Sequence, residues 1–134
     1  MEQINILKIK DEDIILIEQW LKKEYIRKWY DPIDEWINEI KNRNGEYNFI
    51  KHFIVKTNTI KVGFCQYYDC FDAQELWYKI KKQKYTYSID YLIGEENYLN
   101  KGYGKEIIVQ PDMENVKSNK ILLANCFEYN ENKK

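Results

Sequence analysis

From Ser88 to Lys105 the chain reads Ser-Ile-Asp-Tyr-Leu-Ile-Gly-Glu-Glu-Asn-Tyr-Leu-Asn-Lys-Gly-Tyr-Gly-Lys, and this stretch constrains the fold more than any other. Its first part alternates. Tyr85, Tyr87, Ile89, Tyr91 and Ile93 fall on one face, with Thr86, Ser88, Asp90 and Leu92 on the other, which is the period of a strand rich in β-branched and aromatic residues. Asp90 is therefore a carboxylate inside a strand, where Asp is depleted because it bonds its own backbone, so it needs solvent, a partner or a task. After Gly94 a polar loop leads to Lys101-Gly102-Tyr103-Gly104-Lys105. Glycines there let the backbone approach a ligand as a new helix begins, and N–H groups at a helix start suit a phosphate. A plain strand-to-helix turn is the competing reading of the same residues.

The rest of the chain restricts the classes open to it. With 134 residues it is a single domain, residues 1–134, able to bury roughly two-thirds of its unfolded surface. Twelve Tyr and four Trp supply too much apolar bulk for a disordered chain. The 21 basic residues against 22 acidic ones leave a formal charge of −1, which excludes bulk attraction to nucleic acid or an anionic membrane. There is no basic, apolar leader at Met1-Glu2-Gln3-Ile4-Asn5 and no membrane-length apolar run, so a cytoplasmic protein is expected. Cys65, Cys70 and Cys126 cannot all pair, and with His52 alone they lack zinc-site spacing; free, mostly buried thiols and no metal site are expected.

In chain order, Ile4 to Ile9 reads as a first strand. Asp11 then caps a helix carrying Ile14, Ile17, Trp20 and Leu21, which runs into an aromatic and basic connection, Tyr25 to Tyr30. Asp31-Pro32-Ile33-Asp34 is a helix start, with Asp31 as cap and Pro32 at the first helical position. Ile33, Trp36, Ile37 and Ile40 line that helix until Gly45 ends it. Asn48–Lys56 and Ile60–Tyr68 form an antiparallel hairpin through Thr57-Asn58-Thr59, with His52 a satisfied structural residue rather than a base. Asp69 to Gln83 breaks the strand pattern and reads, from its residues alone, as a solvated linker.

The segments Ile89-Asp90-Tyr91-Leu92-Ile93-Gly94-Glu95 and Lys101-Gly102-Tyr103-Gly104 resemble the acetyl-CoA-binding core of the GNAT superfamily, specifically its aminoglycoside 6'-N-acetyltransferases. Gly63-Phe64-Cys65-Gln66-Tyr67-Tyr68 and Glu75-Leu76-Trp77-Tyr78 are similar to the family's third strand and its acidic, Trp-bearing substrate loop. Pro111 to Asn115, Ser118 and Phe127 are similar to its last segment. The resemblance implies an α/β fold, a mixed central sheet flanked by helices, and acetyl-CoA as co-substrate. It implies Asp90 as the catalytic residue, with Tyr91, Leu92, Ile93, Lys101, Gly102, Tyr103, Gly104, Lys105 and Asn115 holding the coenzyme. Backbone N–H groups near Tyr91 and Leu92 would polarise the acyl carbonyl. Trp29, Asp72, Glu75, Trp77 and Asp90 would face the acceptor, most simply an aminoglycoside 6'-amine, because carboxylates pair with ammonium groups and rings pack on sugar faces.

Three features depart from that pattern. Only six residues, Lys105 to Gln110, separate Gly104 from Pro111, about 9 Å of helix, where the family holds a full helix and a strand. The fold is thus expected to be abridged between the pyrophosphate loop and the C-terminal segment, with Ile107-Ile108-Val109 as the stub of either element. Leu122 stands where many relatives carry a Tyr acid, and Cys126 and Leu99 replace other family residues. An uncovered edge on the Asp90 strand would invite a homodimer, unless the segment near Phe127-Glu128-Tyr129 covers it. The alternatives to aminoglycoside acetylation are a non-catalytic remnant that binds or self-associates, and acetylation of a polyamine or peptide amine.

Overall fold

The computed structural model describes residues 2–69, 86–108 and 121–124. Within them a five-stranded sheet runs in the order β1 (Asn5–Lys8), β2 (Ile50–Lys56), β3 (Lys61–Asp69), β4 (Thr86–Ile93), β5 (Ile121–Ala124). The first four strands are antiparallel and β5 is parallel to β4, so the sheet is mixed. Helices α1 (Ile14–Leu21), α2 (Glu24–Tyr30) and α3 (Ile33–Lys41) fall between β1 and β2, and α4 (Tyr103–Ile108) follows β4.

Alternation along the strands sorts side chains between two cores. On one face Ile54, Phe64 and Leu92 meet Ile17, Trp20, Leu21, Ile26, Tyr30, Ile37 and Ile40 of α1 to α3. On the other, Ile4, Ile6, Phe53, Cys65, Ile89, Tyr91 and Ile93 meet Tyr103 and Ile107. The sheet is therefore covered on both sides, with α4 and the preceding Tyr98 and Leu99 covering the second face among the described residues. Thr57 closes the β2–β3 hairpin, its hydroxyl accepting from the N–H groups of Thr59 and Ile60.

Several local expectations are corrected. Asp11 does not cap α1. Asp11–Asp13 is a short 3-10 turn, and it is the buried Asp13 whose carboxylate accepts the Lys10 N–H at 2.9 Å and pairs with Lys61 of β3. The segment Tyr25 to Tyr30 is helix, not connection. Pro32 is extended, at φ −82° and ψ 139°, so α3 starts one residue later than the Asp-Pro signature suggests and has no side-chain cap; Asp34 and Glu35 supply the negative first turn instead. It ends at Lys41, before Gly45, in a series of turns. Ile107 and Ile108 belong to a helix, which settles the stub, while Val109 lies outside the described residues.

The edge of β4 carries a partner among the described residues. β5 pairs with it from Thr86↔Ile121 to Ile89↔Ala124, so the strand expected to be bare carries a partner over its first half. That partner is Ile121–Ala124; Phe127 to Tyr129 lie outside the described residues. From Asp90 to Ile93 no described strand adjoins β4 on that side.

Candidate functional site

The second half of β4 is where the site forms. Gly94 N–H donates to Val62 O at 2.7 Å, and the register pairs Ile93 with Gly63. In an antiparallel ladder this makes Ile93 and Tyr91 the residues whose N–H and C=O turn away from β3, while Leu92 and Asp90 bond to it. Leu92 N–H, expected to polarise an acyl carbonyl, is thus directed at β3, and the outward donors are those of Tyr91 and Ile93. The outward carbonyls are engaged by α2: Tyr30 Oη donates to Tyr91 O at 2.6 Å and Tyr25 Oη to Ile93 O at 2.9 Å. Lys23 Nζ donates to Gly94 O at 2.7 Å. Burial, with Glu96 and Glu95 nearby, pushes the Tyr25 hydroxyl up to about 12, so it stays a donor at neutral pH.

A cleft of about 440 Å³ opens on this edge. Its walls are Tyr91, Leu92 and Ile93 of β4, Tyr25, Lys28 and Trp29 of α2, and the loop from Tyr98 to Lys105 without Lys101. Asn100 at φ 60° and Gly102 at φ 85° both lie in the left-handed region, so the loop turns sharply at these two cleft-lining residues. At Gly104 a Cβ would fall 2.6 Å from Tyr91 Oη and 2.8 Å from its ring, so only hydrogen lets the turn close on Tyr91. Tyr103 is 3% exposed, and its hydroxyl accepts the Glu2 N–H. These features fit an extended phosphate-bearing coenzyme: a strand edge with outward donors, a glycine-rich loop of exposed backbone, and Lys28 and Lys105 beside it.

The residues expected to form a site are thus sorted by the structure. Tyr91, Leu92, Ile93, Gly102, Tyr103, Gly104, Lys105 and Trp29 share the one cleft, Trp29 being 40% exposed with Lys28 Nζ 5.8 Å from its ring centroid. Lys101 is exposed beside the loop and is not part of the wall. Asp90 is not in the wall either. It lies on the opposite face of β4 from Tyr91, 1% exposed, and accepts from Gln66 Nε2 at 3.0 Å, its cross-strand partner. Asp72, Glu75, Trp77 and Asn115 lie outside the described residues. Tyr25 and Lys28 belong to the aromatic and basic segment that the resemblance brings toward the acceptor, although as helix rather than connection, whereas Tyr98 and Asn100 carry no sequence signal for the site and only the fold brings them to it.

Register continues the Asp90–Gln66 pair to His52 on β2, making a row of three buried polar side chains beneath the α1–α3 layer. His52 was expected to be satisfied. Instead neither ring nitrogen has a hydrogen-bond partner among the described residues, nor does Gln66 Oε1, and burial together with Arg43 lowers the imidazole to about 4. Among the described residues no group of His, Cys, Asp and Glu could hold a metal, and no helix is long and apolar enough to cross a membrane. Cys65 is buried and forms no disulfide among the described residues.

Comparison with known proteins places this geometry. A family model described as acetyltransferase (GNAT) domain matches residues 10–110. Among solved structures, an aminoglycoside N(6')-acetyltransferase from Legionella pneumophila superposes with a TM-score of 0.72 at 18% identity, over 99% of this chain and 76% of that one. An uncharacterized protein from Bacillus halodurans gives 0.70 at 12% identity, over 90% and 64%. AAC(6')-Ib, in complex with paromomycin and acetyl-CoA, gives 0.66 at 16% identity, over 80% and 63%. The chain thus spans between about two-thirds and three-quarters of these proteins, and at such identities the likeness is one of fold.

Proposed function

Because the chain belongs to the GNAT acetyltransferase family, whose co-substrate is acetyl-CoA, we propose that it transfers an acetyl group to an amine of a cationic small molecule, with an aminoglycoside 6'-amine the leading acceptor. The observation that carries this reading is the single cleft joining the outward edge of β4, the Gly102–Lys105 turn and Trp29. Acetyl-CoA supplies a thioester; the amine nitrogen bonds to its carbonyl carbon, the C–S bond breaks, coenzyme A leaves as thiolate, and one amine proton is given up.

The chain's own groups divide the work. The Tyr91 and Ile93 N–H groups hydrogen-bond carbonyl oxygens lying along the edge, and donors fixed before reaction need no reorganisation as negative charge grows there. The Gly102 to Lys105 backbone, with Lys101 and Lys105, holds phosphate. Trp29 presents a ring to the acceptor, and Asp72, Glu75 and Trp77 supply the carboxylates and second ring that suit a polycationic sugar. Asp90, held by Gln66 beneath the α1–α3 layer and outside the cleft wall, takes up the amine's proton by relay from the cleft rather than by direct contact with the ammonium.

Titration calorimetry of the purified chain with acetyl-CoA tests the first half, and release of free thiol in the presence of an aminoglycoside tests the second. Saturable micromolar binding followed by turnover is expected. Asp90→Asn should reduce kcat about a hundredfold while acetyl-CoA affinity stays within about twofold. Binding without turnover on any amine would leave a coenzyme-binding module, and no binding by a folded chain would defeat the reading.

A further inference from the structure

A second cavity, of about 370 Å³, lies at the β1–β2 end of the sheet and shares no lining residue with the cleft on β4. β1 ends at Lys8, opposite Phe53, and the Ile9 N–H donates to His52 O at 3.3 Å, so the end of β1 and the start of β2 make one wall. The turns that follow α3 add Arg43, Asn44 and Asn48. Three cations, Lys8, Arg43 and Lys51, and two side-chain amides therefore converge on one opening that no carboxylate lines. Its volume falls within the ~300–1,000 Å³ of small-molecule sites. We propose that this cavity is a separate site for a phosphate group, free or carried on a small organic ester, held by Arg43 with Lys8 and Lys51 and hydrogen-bonded by His52.

Two of the lining groups are buried, which distinguishes the cavity from a patch of surface lysines. The Arg43 side chain is 14% exposed and donates to Ile40 O at 2.8 Å and to the exposed Asp11 at 2.7 Å. That uses two of the five N–H groups of a guanidinium, whose planar fork matches phosphate oxygens. His52 is 5% exposed, and neither of its ring nitrogens has a hydrogen-bond partner among the described residues. A neutral imidazole still carries one N–H, and leaving it buried and unmet is costly. Arg43 and burial together oppose its protonation. An anion in the cavity gives the imidazole a partner and offsets the Arg43 charge. A singly charged carboxylate would leave two of the three cations uncompensated, which favours the doubly charged phosphate. The proposal is independent of acetyl transfer.

His52 is the chain's only histidine, so its imidazole gives a single set of nuclear magnetic resonances to follow. In the full chain at neutral pH, with ionic strength held constant by chloride, added inorganic phosphate should move them saturably with a Kd of about 1 mM or tighter. Acetate should bind at least about tenfold more weakly. Tighter binding of glycerol 3-phosphate than of inorganic phosphate would assign the site to an ester, and equal or weaker binding to the free ion. Arg43→Gln should raise the Kd for phosphate about tenfold, as should Lys8→Gln combined with Lys51→Gln. Both lysines are exposed, so the double variant carries the test should Arg43→Gln not fold. Saturating coenzyme A should leave the phosphate titration unchanged, and competition between the two would place the phosphate in the cleft and overturn a separate site. A drift that never saturates, acetate binding as tight as phosphate, or an unaltered Kd in the variants would overturn it as well.

Discussion

At the residue scale the most consequential group outside the cleft is His52. It is 5% exposed, and burial plus Arg43 lowers its pKa from 6.5 to about 4. In the unfolded chain the imidazole takes a proton near pH 6.5, whereas in the folded chain it resists until about pH 4. The unfolded state thus binds more protons across that interval, and stability falls as pH drops through it, by at most about 3 kcal/mol from this group. Urea unfolding at pH 7.5, 6, 5 and 4 should show that loss, and His52→Phe, which keeps the ring contact with Phe64, should flatten it. An acid limb equally steep in the variant would mean other groups govern it. Gly104 offers a second check. A methyl there meets the ring of Tyr91, which is 5% exposed and cannot swing away, so Gly104→Ala should cost about 1–3 kcal/mol and weaken acetyl-CoA binding. A fall in denaturation midpoint with unchanged slope would place the effect in the native state.

At the scale of elements, the start of α1 sets two aspartates against each other. Asp13 is buried and holds both the Lys10 N–H and Lys61 of the β2–β3 hairpin, and that hydrogen bond raises the lysine's pKa. Asp11, only two residues away, pairs with Arg43 at 2.7 Å but its side chain is 89% exposed. Asp13→Ala should therefore destabilise by about 1–3 kcal/mol by stranding a backbone donor and a partly buried cation, and Asp11→Ala by about 0.5 kcal/mol or less; the reverse order in thermal unfolding would show that the turn is held from its exposed side. Local sequence points to Asp11, because a cap is recognised by its place before the apolar period, while the partner that decides the matter, Lys61, is distant in the chain. The same reason hid α2. Of its seven residues only Ile26 and Tyr30 are buried, too few for a period, and the tyrosines that matter act through hydroxyl tips whose partners on β4 lie more than sixty positions away. What was legible was local: the alternation of β4, the hairpin at Thr57-Asn58-Thr59, the apolar stripe of α3 and the glycine turn. Which faces those elements show one another, and hence that Asp90 and Tyr91 look in opposite directions, needed the register with β3 and two cores to read it against.

At the scale of the whole molecule, the cleft lies where those two cores meet. Leu92 belongs to the layer under α1 to α3, Tyr91, Ile93 and Tyr103 to the layer under α4, and all four border the same opening with α2 on its other side. A ligand seated there touches elements from both layers, and because it cannot bind the unfolded chain it adds its binding free energy to folding. At about a hundred times its dissociation constant, coenzyme A should contribute about 2.7 kcal/mol, which for a domain of this size raises the melting temperature by about 8 °C. The nucleotide half of the coenzyme provides phosphates for the Gly102–Lys105 turn but no carbonyls for the β4 edge. At the same concentration it should therefore shift the melting temperature by less than half as much. Differential scanning calorimetry of the chain with each compound distinguishes the cases. A full shift from the nucleotide half alone would place all of the affinity at the glycine turn and none on β4. A shift from neither, in a chain that melts cooperatively, would mean that the cleft is shaped for another occupant.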